Sequence, residues 1–193
     1  MSRTLIICEK PSVASDVAKA LFGRAAKKAA DHWESPDAIV AWAVGHLVEQ
    51  VDPDAYDAQY KKWRYEDLPI VPEQFRYHAR DARAKKQLSV LHRLMGRADV
   101  ELIVNACDAG REGELIFKLI LETAPKKVRS TPVKRAWFSS MTPKAIKDAF
   151  DNLRSAEQLR PLGAAARRSR TASSRSRSTR RGWAGGGPTG WWG

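Results

Sequence analysis

One short segment of the chain carries three carboxylates and a guanidinium between two apolar stretches. The segment, DAGREGE at 108–114, contains Asp108, Arg111, Glu112 and Glu114. Carboxylates that converge on one point repel each other unless a cation neutralises them, and hard oxygen ligands suit Mg²⁺. A guanidinium beside such an ion can bind two phosphate oxygens at once. The segment is therefore typical of a site at which a metal ion stabilises a phosphodiester during transfer.

Each of two charged clusters follows an apolar run of the length of a buried strand. The run at 100–107 ends before Asp108, and the run at 4–8 ends before Glu9. A helical pattern begins shortly after each cluster. The clusters are therefore expected at the carboxyl ends of two strands, where ligands bind in open α/β sheets. If the two strands are neighbours, Glu9 and Asp108 converge with Glu112 and form a Mg²⁺ site.

The basic residues of these clusters suit a phosphate, but ordinary structural interpretations stay open beside that one. Lys10 and Arg111 are candidates to contact phosphate oxygens. Alternatively, an acidic first helical turn capped by Asp108 complements the helix dipole, and Glu9 with Lys10 forms a solvated loop. His46, taken alone, is an ordinary loop histidine, and no His or Cys pair has the spacing of a zinc site.

The rest of the chain alternates predicted strands and helices. Further strands are expected at 39–44 and 132–138. Helices are expected over 80–95 and from Pro143 onward, the second with Thr142 as its N-cap. This alternation favours an α/β fold with a mostly parallel sheet flanked by helices.

The net charge of +12 is concentrated at the end of the chain. Seven arginines and no acid follow Leu162, which leaves +5 for the preceding residues, an excess that suits a polyanion. Residues 163–193 lack Leu, Ile, Val, Met and Phe, so they cannot supply a core face. Two interpretations follow: an Arg/Ser-rich disordered tail that contacts nucleic acid, or an out-of-frame translation of GC-rich DNA. The tryptophans Trp183, Trp191 and Trp192 favour the second.

Cysteine use and hydropathy predict the compartment. Cys8 and Cys107 both end predicted buried strands and precede a carboxylate, so core thiols in a reducing compartment are expected rather than a disulfide. No run is long enough to cross a bilayer, and the apolar stretch at the start is too short for a secretory signal. We therefore expect a cytoplasmic protein without a membrane partner.

Five segments, taken in order, resemble the amino-terminal part of type IA DNA topoisomerases, the topoisomerase III branch in particular. They are LIICEKPSVA, VGHL, KKWRYEDLPIVPEQF, NACDAGREGELIF and KRAWFSSMTPKAIKDAF. Together they span residues 3 to about 160, and the combination is far more specific than the acidic motif alone. The resemblance implies a Toprim fold, a Rossmann-like α/β domain.

The resemblance also implies an activity and roles for single residues. Members of this family cleave one DNA strand with Mg²⁺ and without ATP, pass another strand through and reseal the break. The implied roles are catalytic for Glu9, Lys10, Arg111 and Glu112, metal binding for Glu9, Asp108 and Glu112, and DNA contact for Lys10, His46 and Arg111. The implied partners are single-stranded DNA and downstream topoisomerase domains, in a bacterial cytoplasm, nucleoid-associated or plasmid-borne.

The resemblance further implies a division into domains. The Toprim domain is expected at 1–140, with a loop-rich insertion at about 24–78, and a following helical domain is expected to begin at 141–162. Residues 163–193 form the disordered or out-of-frame tail. The tail begins where the family continues into its next domain, which favours a truncated or frameshifted protein.

Two departures from the family pattern alter this expectation. Gly110 replaces the second Asp of the general Asp-x-Asp motif, as in some topoisomerase III-like sequences, which predicts a weaker or singly occupied Mg²⁺ site. The nucleophilic tyrosine of the family lies in a downstream domain, and its motif contains none of Tyr56, Tyr60, Tyr65 and Tyr77. We therefore expect a fragment that is inactive alone and binds Mg²⁺ and single-stranded DNA weakly. The alternatives are a stand-alone Toprim metal-dependent nuclease and a non-catalytic DNA-binding module.

Overall fold

The chain builds a seven-stranded sheet, in a computed structural model that describes residues 2–62 and 64–155. The strands are β1 (Arg3–Cys8), β2 (Lys27–Lys28), β3 (Trp33–Glu34), β4 (Ala38–Trp42), β5 (Val48–Gln50), β6 (Tyr77–Ala79), β7 (Val100–Ala106), β8 (Val133–Arg135) and β9 (Arg154–Ser155). The sheet order is β2-β3-β4-β1-β7-β8-β9, and β5 pairs with β6 in a separate two-stranded sheet. The predicted α/β class is confirmed.

Four α-helices of the described residues cover the two faces of the sheet. They are α1 (Pro11–Phe22), α2 (Ala82–Met95), α3 (Arg111–Thr123) and α4 (Pro143–Asp151). Helices α2 and α3 share a core with Leu5, Ile7 and Ile103, whereas α1 and α4 share one with Ile6 and Val104. Consecutive residues of β1 thus point to opposite faces, as the period of a strand requires. Because both faces are buried, the central strands read as continuous apolar runs.

The four central strands, β4, β1, β7 and β8, run parallel. The chain leaves β1 through α1 toward β4, and leaves β7 through α3 toward β8 on the other side. The two connections therefore diverge between β1 and β7. Such a divergence is a topological switch point, where the carboxyl ends of the strands bound a crevice that binds ligands. The structure confirms the condition set by the sequence, because β1 and β7 are neighbours and Cys8 pairs with Ala106.

The predicted elements are present with shifted boundaries. Helix α1 ends before Gly23, whose φ of +52° is left-handed, and the Thr142 side chain caps α4 by accepting the backbone N–H of Ala145. The strand predicted at 132–138 is shorter, because β8 pairs with β7 only opposite 103–105. Past that point only Ala106 remains in β7, so the ladder does not continue over the rest of the predicted strand.

The range 24–78 contains more sheet structure than a loop-rich insertion suggests. It includes β4, which lies in the parallel core, the β2–β3 hairpin beside it, and three single turns of 3₁₀-helix between 53 and 67. The tail predicted at 163–193 lies outside the described residues. Within the described part of the chain, no helix is both long and apolar enough to cross a membrane.

Both cysteines are buried free thiols, as expected. Cys8 belongs to the core cluster on one face of the sheet and Cys107 to the cluster on the other. Burial raises the pKa of both thiols well above the ordinary value. They therefore stay protonated and act as small apolar core residues.

An ion-pair network lies at the amino-terminal end of the parallel strands, opposite the switch point. Arg97 donates hydrogen bonds of 2.9 and 2.8 Å to the two oxygens of Asp99, which precedes β7. Arg3 pairs with Glu34 and lies 3.7 Å from Asp99, and Arg97 lies 3.5 Å from Glu34. The hydrogen bonds and charge of Arg97 lower the pKa of Asp99 to about 2.

We expect this network to lose its stabilising effect in acid. A carboxyl whose pKa is lowered by folding stabilises the folded state above its unfolded pKa, which is about 4 for Asp. That contribution disappears as the pH falls toward the folded pKa of about 2. The difference in unfolding free energy between wild type and Asp99→Asn should therefore be largest near neutrality and shrink below about pH 4. Urea unfolding at a series of pH values measures it, and a difference that ignores pH would contradict the assignment.

Candidate metal and phosphate-binding site

Glu9, Lys10 and Asp108 meet at the switch point, where β1 and β7 end. The Nζ atom of Lys10 lies 3.1 Å from Oδ2 of Asp108 and 3.5 Å from Oε1 of Glu9. The hydrogen bond to Asp108 and the charges of both carboxylates raise the pKa of Lys10. The ammonium group therefore stays protonated between them. The structure thus brings two of the predicted metal ligands, Glu9 and Asp108, to the ammonium group of Lys10.

The second oxygen of Glu9 suits a metal ion. The Glu9 side chain is only 12% exposed, and its buried Oε2 has no hydrogen-bond partner among the described residues. A buried carboxylate oxygen without a partner is costly unless a donor or cation reaches it. Glu9 and Asp108 already share the ammonium group of Lys10. Two carboxylates are also the number that Mg²⁺ usually takes from a protein, which is one or two. Glu9 and Asp108 therefore fit a divalent cation.

Glu112, the third predicted ligand, pairs with His46. The Nε2 atom of His46 lies 2.9 Å from Oε2 of Glu112. The loop that carries His46 is anchored beside β1, because the backbone N–H of Gly45 donates to the Glu9 carbonyl at 3.3 Å. Over residues 2–62 and 64–155, no three His, Cys, Asp or Glu side chains lie close enough together to hold a metal ion. The acidic edge is therefore split into two adjacent pairs.

The junction of β7 and α3 contains two glycines with different roles, one before the helix and one in its first turn. Gly110 is the N-cap of α3, so the interpretation of Asp108 as the cap is wrong. Gly113 brings the helix against the strand end, because a Cβ there would lie 2.1 Å from the carbonyl oxygen of Asp108. Arg111 is the first residue of α3 and is exposed beside Glu112. The charged side chains of Asp108, Arg111 and Glu112 are thus exposed, while the backbone beneath them is tightly packed.

A buried ion pair beneath the turn was not predicted from the sequence. Arg135 is 1% exposed, and its Nε lies 2.6 Å from Oε1 of Glu114, which also accepts a hydrogen bond of 3.2 Å from Asn105. Burial raises the pKa of Glu114, and Arg135 partly offsets that effect. One signal was available: Val133, Arg135 and Trp137 alternate at strand spacing, which predicts an inward-facing arginine that needs a buried acid.

Comparison with known proteins defines the class of this domain. The chain belongs to the Toprim domain family, which matches residues 4–141. Toprim domains of topoisomerases are typically metal-dependent, in agreement with the acidic edge at the switch point.

Three relatives place the chain more closely. It is 46% identical over 155 residues to DNA topoisomerase 3 of Bacillus cereus (strain ATCC 10987 / NRS 248), covering 80% of this chain and 20% of the relative. It is 44% identical over 162 residues to DNA topoisomerase 3 of Bacillus subtilis (strain 168) and 45% identical to that of Bacillus licheniformis, covering 84% of this chain and 22% of each relative. The chain thus spans about a fifth of the length of the curated relatives it matches, and its resemblance to the topoisomerase III branch is confirmed.

Proposed function

We propose that the chain supplies the acidic metal-binding part of the active site of a type IA DNA topoisomerase of the topoisomerase III branch. The observation that carries this proposal is that Glu9 and Asp108 both contact the ammonium group of Lys10, at the carboxyl ends of adjacent strands. The similarity to DNA topoisomerase 3 supports it. The proposed substrate is single-stranded DNA, which the complete enzyme cuts, holds and reseals without ATP.

Mg²⁺ is the proposed cofactor. Glu9 and Asp108 would hold it, and Glu112 would add negative charge from the neighbouring pair. Bound there, Mg²⁺ would supply positive charge to the phosphate oxygens of the DNA during transfer. Because Gly110 replaces a carboxylate of the general motif, we propose a single ion.

The basic residues at the edge of the crevice are proposed to bind and orient the DNA backbone. Half of the Lys10 side chain is exposed, so its protonated ammonium can turn from the carboxylates toward a phosphate oxygen. Arg111 stands at the amino terminus of α3, where backbone N–H groups and the helix dipole favour an anion. His46, held by Glu112, is proposed as a further contact to the DNA.

The nucleophilic tyrosine is proposed to come from downstream domains that follow this one in the relatives. Among the tyrosines of this chain, Tyr56 already accepts the backbone N–H of Arg76 on its hydroxyl at 2.7 Å. We propose that the Toprim domain spans 1–140 and that the following domain begins at 141–162. Helix α4, the first element of that segment, packs against α1 through Ile146.

Metal binding by the chain itself is the first test of this proposal. We expect Mg²⁺ to raise the thermal unfolding midpoint of the wild type, because a ligand at 100 times its dissociation constant stabilises a folded protein by about 2.7 kcal/mol. Asp108→Asn should remove most of this increase, since it replaces one of the two proposed ligands. The control is Asp148→Asn on the exposed face of α4, which should keep the full increase. A wild type that Mg²⁺ does not stabilise even in large excess would refute the proposed metal site.

A further inference from the structure

We propose that Arg135 is a positioning residue that holds the backbone of Asp108 in the place where its carboxylate meets Glu9. This inference rests on the proposed function and adds a residue to the site. Among the described residues, Arg135 is the largest fully buried side chain by volume. It lies directly under the acidic segment, since it donates a hydrogen bond to the carbonyl of Asp108. It reaches no proposed ligand side chain, so it would act only through Asp108.

The hydrogen bonds of Arg135 all go to backbone carbonyls around the end of β7. Its Nη1 donates to the carbonyls of Asn105 at 3.0 Å, Cys107 at 2.7 Å and Ala136 at 2.8 Å. Its Nη2 donates to the carbonyl of Asp108 at 2.8 Å. Buried carbonyls need donors, and the ladder between β7 and β8 ends here before α3 begins. One guanidinium therefore satisfies the strand end from Asn105 to Asp108.

The charge of Arg135 is balanced on its other side. Glu114, on the first turns of α3, lies 2.6 Å from its Nε, and the side-chain amide of Asn105 donates to the same carboxylate oxygen. The side-chain oxygen of Asn105 in turn accepts the backbone N–H of Cys107 at 3.0 Å. The network thus joins the end of β7 to both β8 and α3. Movement of any of these elements would shift Asp108.

The energetics favour a positioning role over a purely stabilising one. Burying an ion pair carries a desolvation cost that often cancels its attraction, so a well-packed apolar pair is frequently as stable. A planar guanidinium, however, offers five N–H donors in fixed directions, which no apolar residue replaces. The centroid of the Trp137 ring lies 5.1 Å from Cζ of Arg135, and this contact further fixes the plane of the guanidinium. This arrangement gives Asp108 one backbone position.

The test compares Arg135→Lys with the wild type of the full chain. Lysine keeps the charge but has only three N–H donors, all on one atom, so it cannot bridge all four carbonyls. We expect Mn²⁺ or Mg²⁺, measured by titration calorimetry at a temperature where circular dichroism shows complete folding, to bind 10- to 100-fold more weakly, about the effect of removing an outer-shell partner. Equal metal affinity in the two proteins would overturn the inference, even if Arg135→Lys lowered the unfolding temperature.

The matched control is Arg97→Lys at the other end of β7. Arg97 makes two side-chain hydrogen bonds to Asp99, and it lies about 20 Å from Arg135 by the rise of a seven-residue strand. This variant should lose stability while its metal affinity stays at the wild-type value. A loss of affinity equal to that of Arg135→Lys would show that general destabilisation is responsible, and would overturn the positioning role.

A second variant covers the case in which Arg135→Lys does not fold. Glu114→Gln keeps the size and the hydrogen-bonding oxygen but removes the charge that orients Arg135. We expect it to fold and to bind Mn²⁺ at least threefold more weakly; unchanged affinity would overturn the inference. Failure of the proposed function is a different result, because a wild type that binds neither metal refutes the site itself, whereas this inference fails only when the wild type binds and the variants bind equally.

Discussion

Glu9→Gln is expected to abolish DNA strand cleavage in a protein that contains the complete active site. Such a protein is a fusion in which residues 1–155 of this chain replace the matching part of DNA topoisomerase 3 from Bacillus subtilis. The substitution keeps the volume of Glu9 and removes the carboxylate whose buried Oε2 lacks a hydrogen-bond partner in the described residues. Removing one group that stabilises charge in a transition state typically costs about 10²- to 10³-fold in rate. We expect a loss of at least that size.

The measurement is relaxation of supercoiled plasmid together with capture of the covalent complex between protein and single-stranded DNA. The reference is the wild-type fusion, and the matched control is Glu101→Gln, an exposed carboxylate on β7 that binds Ser2. Glu101→Gln should relax plasmid at the reference rate. Relaxation by Glu9→Gln at that rate would remove Glu9 from the site. Metal-dependent nicking by the wild type without a covalent complex would instead favour the nuclease alternative.

Gly113→Ala is expected to destabilise the domain by about 3 kcal/mol, a typical cost of overpacking a closely packed site. Helix propensity alone predicts the opposite sign, since alanine is about 1 kcal/mol better than glycine within a helix. The contact decides the outcome, because the new Cβ would lie 2.1 Å from the Asp108 carbonyl oxygen. That carbonyl cannot retreat without losing its hydrogen bond from Arg135. The turn must therefore open, and metal affinity should fall with stability.

The control for this prediction lies three residues earlier, at the N-cap of α3. A Cβ on Gly110 would meet no atom within 4 Å, and its φ of 165° is extended backbone that other residues adopt. Gly110→Ala should therefore change the free energy of unfolding by less than about 1 kcal/mol, the usual difference between residues at an N-cap. Urea unfolding of the two variants and the wild type measures both effects. Equal stability of Gly113→Ala and the wild type would show that α3 can move away from β7.

The charged residues of the 108–114 segment show what a local sequence pattern can predict and what it cannot. The sequence placed all of them in one turn between a strand and a helix, but in the structure only Asp108 precedes α3, and the others lie in the first turn of that helix. The sequence could not divide them among partners. Asp108 binds Lys10, Glu112 binds His46, and Glu114 is buried against Arg135. These partners lie far along the chain, so only the packing of separate elements brings them together.

The sequence by itself determined the local elements, the position of Glu9 and Asp108 directly after buried strands, and the family to which the chain belongs. Apolar periodicity, capping residues and motif order depend on residues that are close in the sequence. They can therefore be recognised before the fold is known. The tertiary structure decided the sheet order, and with it the switch point between β1 and β7. It also decided that Arg135 donates a hydrogen bond to the carbonyl of Asp108 and that this carbonyl leaves no room for a side chain at Gly113. The physical reason is that strand order and close approach depend on how whole elements bury their apolar faces together, which no local spacing records.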